Sequence, residues 1–232
     1  MFQVKEMGRG KERVKMSSIA SFIFGYGIKS EDFGEYGLPI IKTKNFKDGY
    51  VKVIPNNPRT NNKYDEKYLI KNGDLLMVVD GACGESAIWR ESENGWLNQH
   101  ISKICIENAT TRDYVSFIMK TDAFKEYIQS NIVVTTIPHM QRDVVKNFEM
   151  YLPTIEEQQT LQPEFDEIRH KHEKIAQYKA KAQEAIQRLI PGAEKKQENV
   201  IVTSPSKSVT TIEAEQVVPK KLKLKLPKPI AT

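Results

Sequence analysis

The 232 residues are 39% hydrophobic and 28% charged, a globular balance with enough chain to bury a core without disulfide or metal staples. Two cysteines, Cys83 and Cys105, give no disulfide framework, and no apolar run approaches the ~18 residues of a membrane span; a reducing, cytoplasmic setting is expected. Of the net charge of +5, most belongs to residues 191–232, with eight lysines against four glutamates, and only +1 is left for the rest. The pI is therefore weak grounds for a basic folded face.

Along the chain, short apolar runs from about residue 16 to 153 alternate with Gly, Asn, Pro and Asp clusters, the pattern of short strands joined by turns. Strands are predicted over 38–43, 50–54, 74–79, 86–89 and 101–106. Lys47-Asp48-Gly49, Pro55-Asn56-Asn57-Pro58, Lys71-Asn72-Gly73 and Asp80-Gly81 punctuate them, and Asp-Gly or Asn-Gly pairs suit the positive φ angles of tight turns. Between 112 and 130 the spacing turns helical, with Tyr114, Phe117, Ile118, Phe124, Tyr127 and Ile128 on one face and Thr121 as a potential break.

Thr154 followed by Glu157 is a capping-box signature opening a long helix. Pro163 removes a backbone donor, so a kink or restart is expected there. From Leu161 a 4-3 spacing runs through Phe165, Ile168, His172, Ile175, Lys179, Ala182, Ile186 and Leu189 to Pro191. As helix, 163–189 would be roughly 40 Å long, with a heptad seam interrupted by His172 and Lys179. Such a stripe must be covered by another helix, so a coiled-coil partner is expected, with Leu161, Phe165, Ile168, Ile175, Ala182, Ile186 and Leu189 as the pairing residues. Residues 192–232 are rich in Lys, Pro, Ser, Thr and Val, lack aromatics and end in KKLKLKLPKPI. They are expected to form a disordered tail. The division expected is a domain over 1–153, a helix over 154–191 and a tail over 192–232.

Several segments, in this order, resemble one repeat of the specificity subunit of type I restriction-modification enzymes. Val14-Lys15-Met16 to Ile19-Ala20, with Gly25 or Gly27, is similar to the family's opening strand and glycine. Gly37-Leu38-Pro39-Ile40-Ile41-Lys42-Thr43-Lys44-Asn45-Phe46 resembles its G-x-P-x-I-x-x-x-[ND]-[FIL] segment. Leu69-Ile70-Lys71-Asn72-Gly73-Asp74-Leu75-Leu76 with Asp80-Gly81 and Gly84 is similar to its L-x-x-G-D run. Leu97-Asn98-Gln99-His100 resembles the L-N-Q-[NH] step, and Leu152-Pro153-Thr154-Ile155-Glu156-Glu157-Gln158 the entry to its spacer helix. The resemblance covers about 14–190. Thr154 replaces a second Pro, Asn131-Ile132 stands where Ser-Gly is usual, and one recognition unit is present where the usual subunit carries two. The resemblance implies an α+β target recognition domain, with a twisted and mostly antiparallel sheet, followed by a long coiled-coil helix. It implies double-stranded DNA and a methyltransferase subunit as partners, and pairing through the helix with a second copy or another specificity half. S-adenosylmethionine would then bind the partner rather than this chain.

Reading bases needs Arg, Lys, Asn or Gln with defined donor and acceptor geometry, while phosphates need Lys, Arg, Ser, Thr or backbone amides. The loops of such a domain supply Lys42, Lys44, Asn45, Arg59, Asn61, Lys63, Arg90, Asn98, His100, Thr135, Thr136 and His139 as DNA-binding candidates; solvated turn residues are the plain alternative for any one of them. Asp74 and Asp80 read as strand-end turns rather than metal ligands, and the spacings of Cys83, His100, Cys105 and His139 match no zinc pattern. No cofactor loop, Asn/Asp-Pro-Pro-aromatic motif or Walker loop is present, so no catalysis is expected. Two rival readings are a C-terminal recognition fragment of a fused N6-adenine methyltransferase and a coiled-coil scaffold without DNA specificity.

Overall fold

The computed structural model describes residues 13–133 and 138–189; the tail expected over 192–232 lies outside them. The chain divides into a unit Met1–Ala185 and a second, Ile186–Thr232, and the account below concerns the first. Its heart is a four-stranded antiparallel sheet of β2 (Ser21–Phe24), β11 (Ile101–Cys105), β8 (Leu75–Val78) and β9 (Ser86–Ile88), in the order β2-β11-β8-β9. A second sheet joins β6 (Arg59–Thr60), β3 (Leu38–Ile41), β10 (Gly95–Leu97) and β7 (Leu69–Ile70), with only β3 and β10 parallel. Two short pairings complete the strands: β1 (Arg13–Lys15) with β12 (Glu149–Tyr151), and the hairpin β4 (Phe46–Lys47) with β5 (Tyr50–Val51). The helices are α1 (Ala109–Ile118), α2 (Asp122–Asn131), α3 (Arg142–Lys146) and α4 (Ile155–Leu189).

Strand β8 reads Leu-Leu-Met-Val, with no polar alternation, because both of its faces are buried. Leu75 and Met77 pack among Met16, Ile104, Tyr114, Val115 and Phe124 on the helical side. Leu76 and Val78 pack with Ile41, Ile70, Trp89 and Leu97 on the side of the second sheet. The molecule thus has three layers, helices, sheet and sheet, with β8 in the middle. All five predicted strands form, each shorter than expected. The strands that went unpredicted are mostly two or three residues long, too short for a period of two to show. The helical stretch does break at Thr121, whose hydroxyl caps α2 by accepting from the Phe124 amide at 3.4 Å.

At the start of α4 the capping box closes as read: Thr154 N–H donates to Glu157 Oε2 at 2.9 Å, and Glu157 N–H to Thr154 Oγ1 at 3.3 Å. Of the kink or restart expected at Pro163, the restart is corrected, because a single helix runs through it. Gln159 and Pro163 are both exposed, so water can satisfy the carbonyl that loses its donor. The first part of the seam faces its own domain. Leu161 and Phe165 pack on the helical core, Phe165 stacking on Phe117 at 4.2 Å between ring centroids. The β4–β5 hairpin, turning through Asp48 (φ 52°) and Gly49 (φ 80°), ties the next turns. Tyr50 Oη donates to the Arg169 carbonyl at 3.1 Å, and Lys179 Nζ lies 3.1 Å from Asp48. Burial pushes the Tyr50 phenol up to about 12, as does nearby Glu173, so it stays a donor at neutral pH.

The two sheets are joined at the turn between β10 and β11, and Gly25 makes that junction possible. Tyr26 N–H donates to Leu97 O and Gly25 N–H to Ile101 O, both at 3.0 Å. A Cβ on Gly25 would stand 2.1 Å from the Asn98 carbonyl oxygen, whereas one on Gly27 would meet only the Gln99 side chain at 3.8 Å. Of the two glycines open in the sequence, Gly25 is therefore the sterically required one. Gly25→Ala is expected to lower unfolding free energy by about 3 kcal/mol, since backbone rather than a flexible side chain must move. Gly27→Ala is expected to change it by less than about 0.5 kcal/mol. Urea denaturation of both variants checks the contrast.

Candidate functional site

Three distant sequence segments meet at the end of β8. Asp80 follows β8 and accepts from both His100 Nδ1, at 2.7 Å, and His139 Nδ1. The backbones are pinned as well: Val79 N–H donates to His100 O at 2.9 Å, Met140 N–H to Val79 O at 3.0 Å, and Gly81 N–H to Pro138 O at 2.8 Å. The turn Thr43–Asn45 joins them through Thr43 Oγ1, which donates to the Asp80 carbonyl at 3.3 Å. Burial alone would raise the Asp80 carboxyl, but the hydrogen bonds to His139 and His100 outweigh it and hold it below the ordinary carboxylate value.

The sequence candidates fall into different environments here. Lys44 is exposed on its turn. Lys42 is half-buried, its ammonium 3.9 Å from the centroid of Phe33; burial and then Lys44 lower its pKa. Asn45 is corrected from surface reader to internal strut, being 1% exposed. Its Oδ1 accepts from Lys42 N–H and its Nδ2 donates to Lys52 O, both at 2.9 Å, and also to Asn57 Oδ1. Asn98 is likewise buried, its Nδ2 donating to Gln99 Oε1 at 3.0 Å and its Oδ1 accepting from the His100 amide at 3.4 Å. Gln99, its neighbour in the Leu97-Asn98-Gln99-His100 step and an amide of the same donor and acceptor pattern, is exposed on the same turn.

A second group surrounds the loop before β3. Arg59 forks onto Glu93 at 2.9 and 3.0 Å and donates to Gly37 O at 2.8 Å, so its guanidinium is committed within the fold. Asn61 and Lys63 are exposed, as is Tyr36 (76%). Arg90 is exposed but keeps other company: its charge, with that of Arg169, adds to burial in lowering the Lys120 pKa. Thr135 and Thr136 lie outside the described residues.

Cys83 and Cys105 are half-buried free thiols, each pushed up mainly by burial. Asp74 closes a strand-end turn, accepting from Lys71 N–H at 2.8 Å. No group of His, Cys, Asp or Glu suited to a metal occurs among the described residues, and none of their helices is long and apolar enough to cross a membrane. On α4, the seam from Ile175 onward is exposed: Ile175 is 50% exposed, Ile186 58% and Leu189 82%. Ala182 is exposed and Ile168 partly buried. Tyr178, 69% exposed and within a helical turn of Ile175 and Ala182, was missed because the 4-3 reading passed it over for Lys179.

This fold, two linked sheets with a capped helix leading out, has known counterparts. The chain belongs to the type I restriction modification DNA specificity domain family, whose pattern matches residues 12–162. It is 21% identical over 212 residues to the type I restriction enzyme MjaVIII specificity subunit of Methanocaldococcus jannaschii, covering 87% of this chain and 47% of that one. In fold it is similar to the crystal structure of the HsdS subunit from Thermoanaerobacter tengcongensis (TM-score 0.55, 16% identity, 81% of this chain and 44% of that one). It is similar also to the type I restriction-modification S subunit from M. genitalium (TM-score 0.53, 17% identity, 72% and 41%). A third likeness is to a structure describing complex assembly and conformational transition of the type I R-M system (TM-score 0.57, 18% identity, 78% and 43%). The chain spans about half the length of these relatives.

Two outcomes are expected. Asn45→Ala removes a buried amide with three hydrogen-bond partners and should cost about 2–3 kcal/mol of stability in denaturant titration, whereas Lys44→Ala should leave stability unchanged. For Asp80, the folded value lies below the ordinary one, so its contribution is complete above about pH 4 and is lost as pH falls through the folded value. Asp80→Asn should therefore flatten the acid limb of the stability–pH profile, measured by thermal melts between about pH 6 and 3.

Proposed function

We propose that the chain is a non-catalytic specificity subunit. It binds a half-site in double-stranded DNA and directs a partner adenine methyltransferase, and a restriction subunit where the system cleaves DNA, of a type I restriction-modification system. The single observation that carries this reading is the meeting of the 42–45 turn, the 98–100 turn and the 138–140 segment at Asp80, in a chain of the DNA specificity domain family. Lys42, Lys44, Asn61, Lys63, Arg90, His100 and His139 are its DNA-facing side chains. With a described unit close to charge balance, affinity would come from a few placed cations rather than from a broad basic field. S-adenosylmethionine would be held by the partner subunit, and the setting is cytoplasmic.

The same reading assigns the bare end of α4 to pairing. Leu161 and Phe165 are already covered by their own domain, so pairing would use Ile175, Tyr178, Ala182, Ile186 and Leu189, with a second copy or another specificity half. Two recognition domains held by paired helices would read two half-sites at a fixed spacing.

Light scattering on the purified chain, followed by selection from a randomised duplex library at near-physiological salt, tests both parts. A dimer enriching a bipartite motif with a constant spacer is the expected outcome. The double variant Ile175→Glu, Ile186→Glu should be monomeric and enrich a single half-site. Lys44→Ala should weaken all sequences alike and reduce the salt slope by about 1. Enrichment of no motif, with affinity that vanishes with salt, would leave only a scaffold.

A further inference from the structure

The Asp80 cluster has a chemistry that neither histidine would have alone. An ionised carboxylate only accepts hydrogen bonds. Both His100 and His139 present Nδ1 to Asp80, so in each neutral ring the proton must sit on Nδ1. Nε2 is then left as a bare acceptor. Both rings are about half exposed, at 45% and 56% of their side-chain surface. Their backbones are held by the Val79, Gly81 and Met140 hydrogen bonds, so the two acceptors are pre-positioned rather than searching. Arg and Lys can only donate, and Asn, Gln, Ser and Thr both donate and accept. An acceptor-only group therefore has a narrow choice of partner on a base edge. In the major groove the donors are the exocyclic amines, adenine N6 and cytosine N4.

We propose that Asp80 is a positioning residue that fixes the tautomer of His100 and His139, and that their Nε2 atoms select a base carrying an exocyclic amine within the recognised half-site. This inference rests on the DNA-recognition reading above and deepens it. The groups around the pair are compatible. Asp80 is the acid facing both rings, and the Cys83 thiol beside it is kept protonated by burial and by Asp80 itself. Lys42 and Lys44 flank Thr43 on the adjoining turn, where they can hold phosphate while the imidazoles face a base. Protonation would convert each Nε2 from acceptor to donor. The same position would then favour guanine, whose O6 and N7 accept.

Two measurements on the full chain test this. Long-range nitrogen–proton NMR of the imidazoles at pH 8 should show both rings protonated at Nδ1 in the wild type, and loss of that state for at least one ring in Asp80→Asn. The opposite tautomer in the wild type would overturn the proposal before any DNA is added. Selection from the randomised duplex library at pH 8 should then enrich adenine or cytosine at one or two positions. That selection uses the wild-type chain, so it does not depend on whether Asp80→Asn folds. His100→Ala and His139→Ala should each flatten the preference at a position without altering the others. A motif enriched unchanged in both histidine variants would overturn the tautomer proposal while leaving DNA recognition intact. Enrichment of no motif would overturn both.

Discussion

The close approach of Gly25 to the Asn98 carbonyl is the constraint on which the rest of this molecule depends. At that point the 97–101 turn leaves one sheet and enters the other. Its backbone serves both, accepting from Tyr26 and Gly25 and, through His100, from Val79. The turn can lie against β2 only where no side chain intervenes. Once it is seated, Asn98 points inward and Gln99 and His100 point outward. The exposed face is thus a direct consequence of a packing requirement in the interior. The turn proposed to face DNA is held on two sheets, an arrangement that places side chains more accurately than a free loop would.

The long helix divides its apolar stripe between two tasks. Its first turns complete the domain, with Phe165 stacked on Phe117, and the hairpin at Asp48 and Tyr50 grips the next stretch. Between the two hairpin contacts, at Arg169 and Lys179, Ile175 and Tyr178 are already exposed. Docking near the cap fixes the direction in which the helix leaves the domain. Apolar side chains further along are left for another surface, since isolated helices with exposed apolar seams gain stability mainly by being covered. The docked first turns and the exposed apolar side chains after them are the features on which the proposed pairing rests.

Charge plays a smaller part than the overall pI suggests. Two of the prominent cations in the described domain are committed to the fold: Arg59 to Glu93, and Lys103 to Asp74 and the Leu69 carbonyl. The exposed cations, among them Lys44, Lys63 and Arg90, belong to a unit close to charge balance. This favours reading by hydrogen-bond geometry, which is short-ranged and directional, over attraction by a broad field.

By itself the sequence determined the local features. The capping box at Thr154, the helix break at Thr121 and the five longest apolar runs depend on residues within one helical turn or one strand of each other, and each is present. The family and the α+β class were legible for the same reason, as ordered short segments. Pro163 shows the limit of local reading, because one helix continues through it where both Gln159 and Pro163 are exposed. Only the tertiary structure decided which candidates are free. Asn45 and Asn98 have the donor and acceptor pattern of base readers, yet the fold uses both amides to satisfy buried backbone and side-chain groups. Asp80, which reads as an ordinary strand-end turn, became the centre of the site because His100 and His139 reach it across 20 and 59 residues of chain. The division has a physical cause: helix caps and turns are satisfied by neighbours in sequence. The availability of a polar side chain depends on what lies beside it in space, and distant segments become neighbours only when the core closes.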